Sequence, residues 1–176
     1  MTHFLPKLTL VLGGAACGKS AYAESLAKRS ERSRVYVATA QAFDAEMKAK
    51  IAAHRNMRGP DWITIEAPID VANALSSAQA EQVVLIDCAT LWLTNVLLDN
   101  HEIEIETATF CAALAAAPCP IIVVSNEVGQ GIVPDNALSR QFRNAQGKLN
   151  QMLAAQADTV VTVMAGLPLA LKGDLL

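Results

Sequence analysis

Short apolar runs of strand length alternate along this chain with longer stretches whose apolar residues recur three and four apart. Leu8-Thr-Leu-Val-Leu12 is the first run, and Ala21 to Lys28 behind it has helical spacing. Arg34 to Thr39 reads as a second strand, and Asp44 to Arg55 as a helix that Asp44 can cap. Arg58-Gly-Pro-Asp61 breaks that helix, and Trp62 to Glu66 predicts a short strand. Val71 to Gln82 predicts another helix, and Val83 to Asp87 an apolar strand that ends in an acid. Residues 88 to 117 read as helical with one break, and Pro120 to Asn126 as a buried strand. Glu127 to Pro134 is a glycine-punctuated loop; a long helix over Asn136 to Ala157 and a last strand over Asp158 to Met164 complete the pattern. Strands that are apolar almost throughout, separated by helices, predict an α/β fold with a mostly parallel central sheet covered on both faces.

Composition narrows the possibilities. A chain of 176 residues that is 52% hydrophobic and 18% charged predicts one domain, residues 1–176, with a sizeable core. A formal charge of −3 argues against nucleic acid and anionic membranes as partners, since both select basic surfaces. Any anion site must then be local. Cys17, Cys88, Cys111 and Cys119 form no C-x-x-C and no zinc-spaced cluster, which predicts free thiols in a reducing compartment. The N-terminal residues have no secretory pattern, and no apolar run approaches the length of a membrane span. A cytoplasmic protein is expected.

Chemistry enters at Gly13-Gly14-Ala15-Ala16-Cys17-Gly18-Lys19-Ser20, which fits G-x-x-x-x-G-K-[ST] between a predicted strand and a predicted helix. That is the phosphate-binding loop of nucleoside triphosphatases and kinases, and it predicts a three-layer sandwich like theirs. Glycines let successive N–H groups converge on phosphate oxygens, and the helix that follows adds the positive end of its dipole. Lys19 would reach the β- and γ-phosphates, and the Ser20 hydroxyl would ligate Mg²⁺. Asp87, at the end of an apolar strand, is placed to hold the same ion from a strand beside the loop; otherwise it is an acid facing solvent.

His54 shares a helical face with Met47 and Ile51. Two readings fit it: a partly buried, hydrogen-bonded histidine, which spacing alone favours, or a covalent nucleophile that splits one difficult transfer into two. Lys50, Arg55 and Arg58 flank it as phosphate clamps or as an ordinary solvated face. Glu66 can accept hydrogen bonds from a base or ribose. His3 and His101 read as surface residues.

Taken together, the motifs resemble a known family, the bifunctional adenosylcobinamide kinase/adenosylcobinamide-phosphate guanylyltransferases. The resemblance runs from about Leu8 to about Lys172. It is carried by the glycine loop, Val37-Ala-Thr39, Asp44-x-Glu-Met47, Ile51-x-x-His54-x-x-x-Arg58 with Trp62 and Glu66, and Asp87-Cys-x-Thr-Leu-Trp92 with Asn95. The most specific segment is Ser125-Asn-Glu-Val-Gly-x-Gly-Ile-Val-Pro134, followed by Arg140, Phe142-Arg143, Gly147, Asn150-Gln151 and Ala157-Asp158.

The resemblance implies a kinase step on adenosylcobinamide with ATP or GTP, then transfer of GMP from GTP to the product through a guanylyl-histidine at His54. It implies guanine-nucleotide contacts at Gly13 to Ser20, at Ala38, Thr39 and Ala40, at Arg55, Asn56, Met57 and Arg58, and at Glu66 and Asp87. It also implies Mg²⁺ and a homo-oligomer, a trimer in the family. The loop departs from the family's usual pattern where Ala16 and Cys17 replace an arginine and a serine. The rival enzyme is a single-function phosphate-loop kinase in which His54 is structural. A nucleotide-dependent switch without transfer chemistry is the rival of another class.

Overall fold

The structure is a computed structural model, and it describes residues 5–41, 49 and 58–175. The predicted helix over 44–55 lies outside the described residues apart from Ala49, which is helical. The chain order is β1 (Leu8–Gly13), α1 (Lys19–Arg29), β2 (Ser33–Ala38), β3 (Trp62–Glu66), α2 (Val71–Ser76), β4 (Gln82–Asp87) and α3 (Ala89–Leu98). It continues with α4 (Ile103–Ala116), β5 (Ile121–Asn126), α5 (Ala137–Gln156), β6 (Thr159–Met164) and β7 (Leu167–Lys172). One sheet takes all seven strands in the order β3-β2-β4-β5-β1-β6-β7. Every neighbouring pair is parallel except β6 with β7.

Strand alternation sorts the apolar side chains into two cores. Val11, Tyr36, Val83, Leu85, Ile122 and Val124 pack with Ala23, Leu26 and Ala27 of α1. Leu10, Val37, Val84, Ile86, Ile121 and Val123 face the other way, against α2 to α5, with Trp92 and Phe110 stacked at 4.7 Å between ring centres. Solvent reaches neither face of the central strands, which is why those runs are apolar nearly throughout.

Two sequence expectations need correction. The helix expected over 71–82 stops at Ser76, and Gln82 already opens β4. Ser76 and Ser77 each donate a hydroxyl back to the carbonyl three residues earlier, and Ala78 N–H closes a tight turn on Leu75 O. Serine hydroxyls that bond the local backbone compete with helix continuation. The strand ending at Met164 is not the last. Ala165 and Gly166, at φ 53° and 79°, form a two-residue hairpin turn into β7. Pro168 hid that strand, yet it is tolerated because β7 is an edge. β5 lies between β4 and β1, so Asp87 ends a strand one removed from the one that leads into the phosphate loop.

Candidate active site

The loops after β1 and β5 diverge. β1 leads into α1 on one face of the sheet, while its neighbour β5 leads into α5 on the other. In open parallel sheets, a ligand crevice forms where adjacent strands send their connections to opposite faces, beyond the carboxyl ends. By that rule the crevice falls between the loop after β1, residues 14–18, and the loop after β5, residues 127–136.

The phosphate loop is built by close packing from the far end of the chain. A Cβ on Gly13 would sit 2.7 Å from Val163 O, and one on Gly18 would sit 3.2 Å from Gly166 Cα. Gly18 is also at φ 97°, a backbone region that disfavours side chains. Gly166 N–H donates to Cys17 O at 2.9 Å, so the β6–β7 turn braces the loop. Gly14, Ala15 and Ala16 are exposed at its tip, and Cys17 and Ser20 are half-buried. Lys19 is 9% exposed, with its ammonium donating to Gly14 O at 2.9 Å. The cation is thus folded over its own loop, where phosphate oxygens would compete for it.

Register aligns the other candidates. Glu66, Ala38, Asp87, Val124 and Val11 are level across β3, β2, β4, β5 and β1. Asp87 shares its face with Leu85, so it lies on the α1 side at the carboxyl edge. At about 4.8 Å per strand, it stands roughly 10 Å from β1, and exposed Glu66 stands roughly 19 Å away. Asp87 is thus the nearer of the two carboxylates to the phosphate loop, and Glu66 the farther.

Two residues that the sequence reading left without a role belong to this constellation. Tyr36, buried in the α1-side core, donates its hydroxyl to Asp87 Oδ2 at 3.2 Å. Burial, and then the Asp87 carboxylate, push the phenol pKa far up, so it stays a donor. A tyrosine in an aliphatic strand was the available signal, since a buried hydroxyl needs a partner. Asn126 ends β5 level with Gly13 and, by alternation with Val124, on the same face as Asp87. Its N–H bonds Thr90 Oγ1 at 2.8 Å and its carbonyl accepts from Asn150 Nδ2 at 3.0 Å. Among the described residues its buried Oδ1 has no hydrogen-bond partner, an unusual state for a buried amide oxygen.

The remaining predicted residues are placed as follows. Thr39 is fully buried; its hydroxyl donates to Cys88 O at 2.8 Å and accepts from Cys88 N–H at 2.7 Å. Asn95 Nδ2 bonds Thr39 O at 2.8 Å. Thr39 therefore fixes the ends of β2 and β4 rather than offering its side chain to a ligand. Ala40 is half-buried just beyond it. Cys88 is buried beside Asp87, and its thiol is pushed up to about 11, chiefly by burial. Arg58 is 8% exposed, with its guanidinium carbon 3.4 Å from the Tyr36 ring centre; among the described residues its Nε has no hydrogen-bond partner. It is a cation stacked on the residue that holds Asp87. His54, Arg55, Asn56 and Met57 lie outside the described residues.

The donor set suits Mg²⁺, which takes hard oxygen ligands and keeps several waters. Ser20 and Asp87 are both oxygen donors, and Tyr36 engages only Oδ2 of Asp87, so among the described residues its second oxygen has no hydrogen-bond partner.

The family model for cobinamide kinase / cobinamide phosphate guanyltransferase matches residues 9–171. The bifunctional adenosylcobalamin biosynthesis protein CobP of Pseudomonas aeruginosa is 45% identical over 94% of this chain and 97% of its own length. The corresponding protein CobU of Escherichia coli is 36% identical over 94% of this chain and 99% of its own. Among solved structures, the RadB recombinase aligns with a TM-score of 0.55 at 18% identity, over 90% of this chain and 75% of that one. An ATPase from a bacterial type III secretion system aligns with a TM-score of 0.61 at 11% identity, over 94% of this chain and 57% of that one. These two likenesses concern the fold alone, a phosphate-loop NTPase sandwich.

Proposed function

Because the chain belongs to the cobinamide kinase / cobinamide phosphate guanyltransferase family and is a transferase of adenosylcobalamin biosynthesis, we propose that one crevice serves both of its reactions, with His54 as the covalent carrier. In the kinase step, the aminopropanol hydroxyl of adenosylcobinamide attacks the γ-phosphorus of ATP or GTP, and the nucleoside diphosphate leaves. In the second, a neutral His54 imidazole attacks the α-phosphorus of GTP, the bond to pyrophosphate breaks, and the imidazole proton passes to solvent. A phosphate oxygen of adenosylcobinamide phosphate then attacks the same phosphorus. The P–N bond breaks and adenosylcobinamide-GDP is released.

Both steps expel a fragment that carries the β-phosphate, so one cradle can serve both. Lys19 and the N–H groups at the start of α1 would bind the charge that grows on the leaving oxygen. Bound Mg²⁺, held by Ser20 and Asp87, would neutralise phosphate charge. Tyr36 holds the Asp87 carboxylate in place, and Arg58 supplies positive charge beside Tyr36. Ala38, Ala40 and Glu66 line the route from the phosphates toward the base. A cytoplasmic location and a homotrimer complete the proposal.

The observation that carries this reading is the alignment of Gly13, Asp87 and Asn126 on one face of the carboxyl edge, beside the crevice, in a chain of this family. The test uses GTP labelled at the α- or the γ-phosphate, with Mg²⁺ and no corrinoid. Expected is an acid-labile, alkali-stable protein label from the α-phosphate alone, absent in His54→Ala. GTP binding without a covalent label would leave His54 structural and a single-function kinase in its place.

A further inference from the structure

One wall of the crevice is the phosphate loop; the other, residues 127–136, has so far been given no role. We propose that the apex of this second wall, Ile132 and Val133, is the docking lip for the corrinoid ring of the acceptor substrate. The assignment rests on the two reactions described above and adds the acceptor's binding surface to them.

Exposure is the first observation. Ile132 is 96% exposed and Val133 62%. Single apolar residues at a surface are ordinary, but two adjacent β-branched ones on a loop beside a ligand crevice mark a contact surface. The loop's anchoring is the second. Glu127 N–H donates to Gly13 O at 3.0 Å, tying the loop's start to the phosphate loop. Glu127 Oε1 accepts from Gly129 N–H at 2.6 Å. At the other end, Arg140 Nη1 donates to Pro134 O at 2.9 Å and to Asp135 O at 2.8 Å, while Asn136 Oδ1 caps α5 through Ser139 N–H at 2.8 Å. With both ends pinned, the apex is held out in solvent instead of folding onto the core.

Chemistry decides the occupant. Val128-Gly-Gln-Gly-Ile-Val-Pro134 carries no charge, which suits a broad apolar ring with neutral amide arms better than a nucleotide or a charged peptide. Gln130 and the glycine backbone offer hydrogen-bond partners to such arms. Position agrees with this. The loop that carries the lip begins one residue beyond Asn126, which is level with Gly13, so a ring seated on it would extend its hydroxyl or phosphate arm toward the phosphate loop.

The test compares wild type with I132Q/V133Q and I132L/V133L for α-phosphate labelling by GTP, for corrinoid KM in both reactions, and for mass by light scattering. In I132Q/V133Q, labelling and mass should be unchanged, and both corrinoid KM values should rise about tenfold or more, equivalent to about 1.4 kcal/mol. I132L/V133L should stay within about twofold of wild type. Unchanged KM in the glutamine variant overturns the lip, and so does a fall in mass, which would make this surface a contact between copies of the chain. A wild type that neither labels nor transfers instead refutes the two-reaction reading itself.

Discussion

Tyr36 shows how far a single hydroxyl can matter. Its bond to Asp87 is 3.2 Å long and half-buried, and it holds one orientation of a carboxylate expected to bind a metal. Groups that orient ligands in this way typically change metal affinity about 10- to 100-fold when removed. Tyr36→Phe keeps the ring that packs edge-on to Trp62 at 6.1 Å and lies under Arg58. The variant should fold, losing about 1 kcal/mol. It should need about tenfold more Mg²⁺ for half-maximal activity, read from a Mg²⁺ titration of both transfers. An unchanged Mg²⁺ requirement would confine Tyr36 to packing.

At the scale of elements, the α3–α4 link carries a pH-sensitive cluster of side chains. His101 lies 3.0 Å from Asp99 Oδ2 and 2.9 Å from Glu106 Oε1, so both ring nitrogens face carboxylates. Those hydrogen bonds, Glu106 first and Asp99 second, raise the pKa of this exposed histidine above its ordinary 6.5. A histidine whose pKa is raised on folding stabilises the native state fully below its unfolded value, and that contribution is lost as pH rises through the folded value. The melting temperature of wild type should therefore exceed that of His101→Gln near pH 6, and the gap should close at alkaline pH. A gap that widened with pH would contradict the ion pairs. The sequence offered only a histidine in an acidic stretch; that residues 99, 101 and 106 converge depends on how α4 starts.

Across the whole molecule, the C-terminal hairpin supports a loop that begins near residue 13. Gly166 N–H holds Cys17 O, and Gly166 Cα limits the space at Gly18. Gly18→Ala therefore meets both a φ of 97° and a crowded neighbour. It should lower the melting temperature by several degrees, as a loss of roughly 1–2 kcal/mol does in a chain of this size. It should also weaken GTP binding by about tenfold or more, read by calorimetry. Normal GTP affinity with a lowered melting temperature would show that the hairpin braces the fold but not the cradle.

The sequence by itself determined the fold class, the phosphate loop and the family. Each rests on local information: apolar periodicity, a glycine pattern whose backbone needs are strict, and residue order along one chain. It also marked Asp87, because a charge ending an apolar strand is conspicuous. Sequence did not give the strand order, and it missed β7. Thr39 belonged to the predicted nucleotide contacts, and only tertiary structure shows its hydroxyl spent on Cys88. The partners of Tyr36 and Asn126, and the bracing of the loop by Gly166, were equally out of reach. These contacts join residues far apart in sequence, and their geometry comes from register and from the face each side chain occupies. Periodicity within one element records which face is buried, but not what buries it.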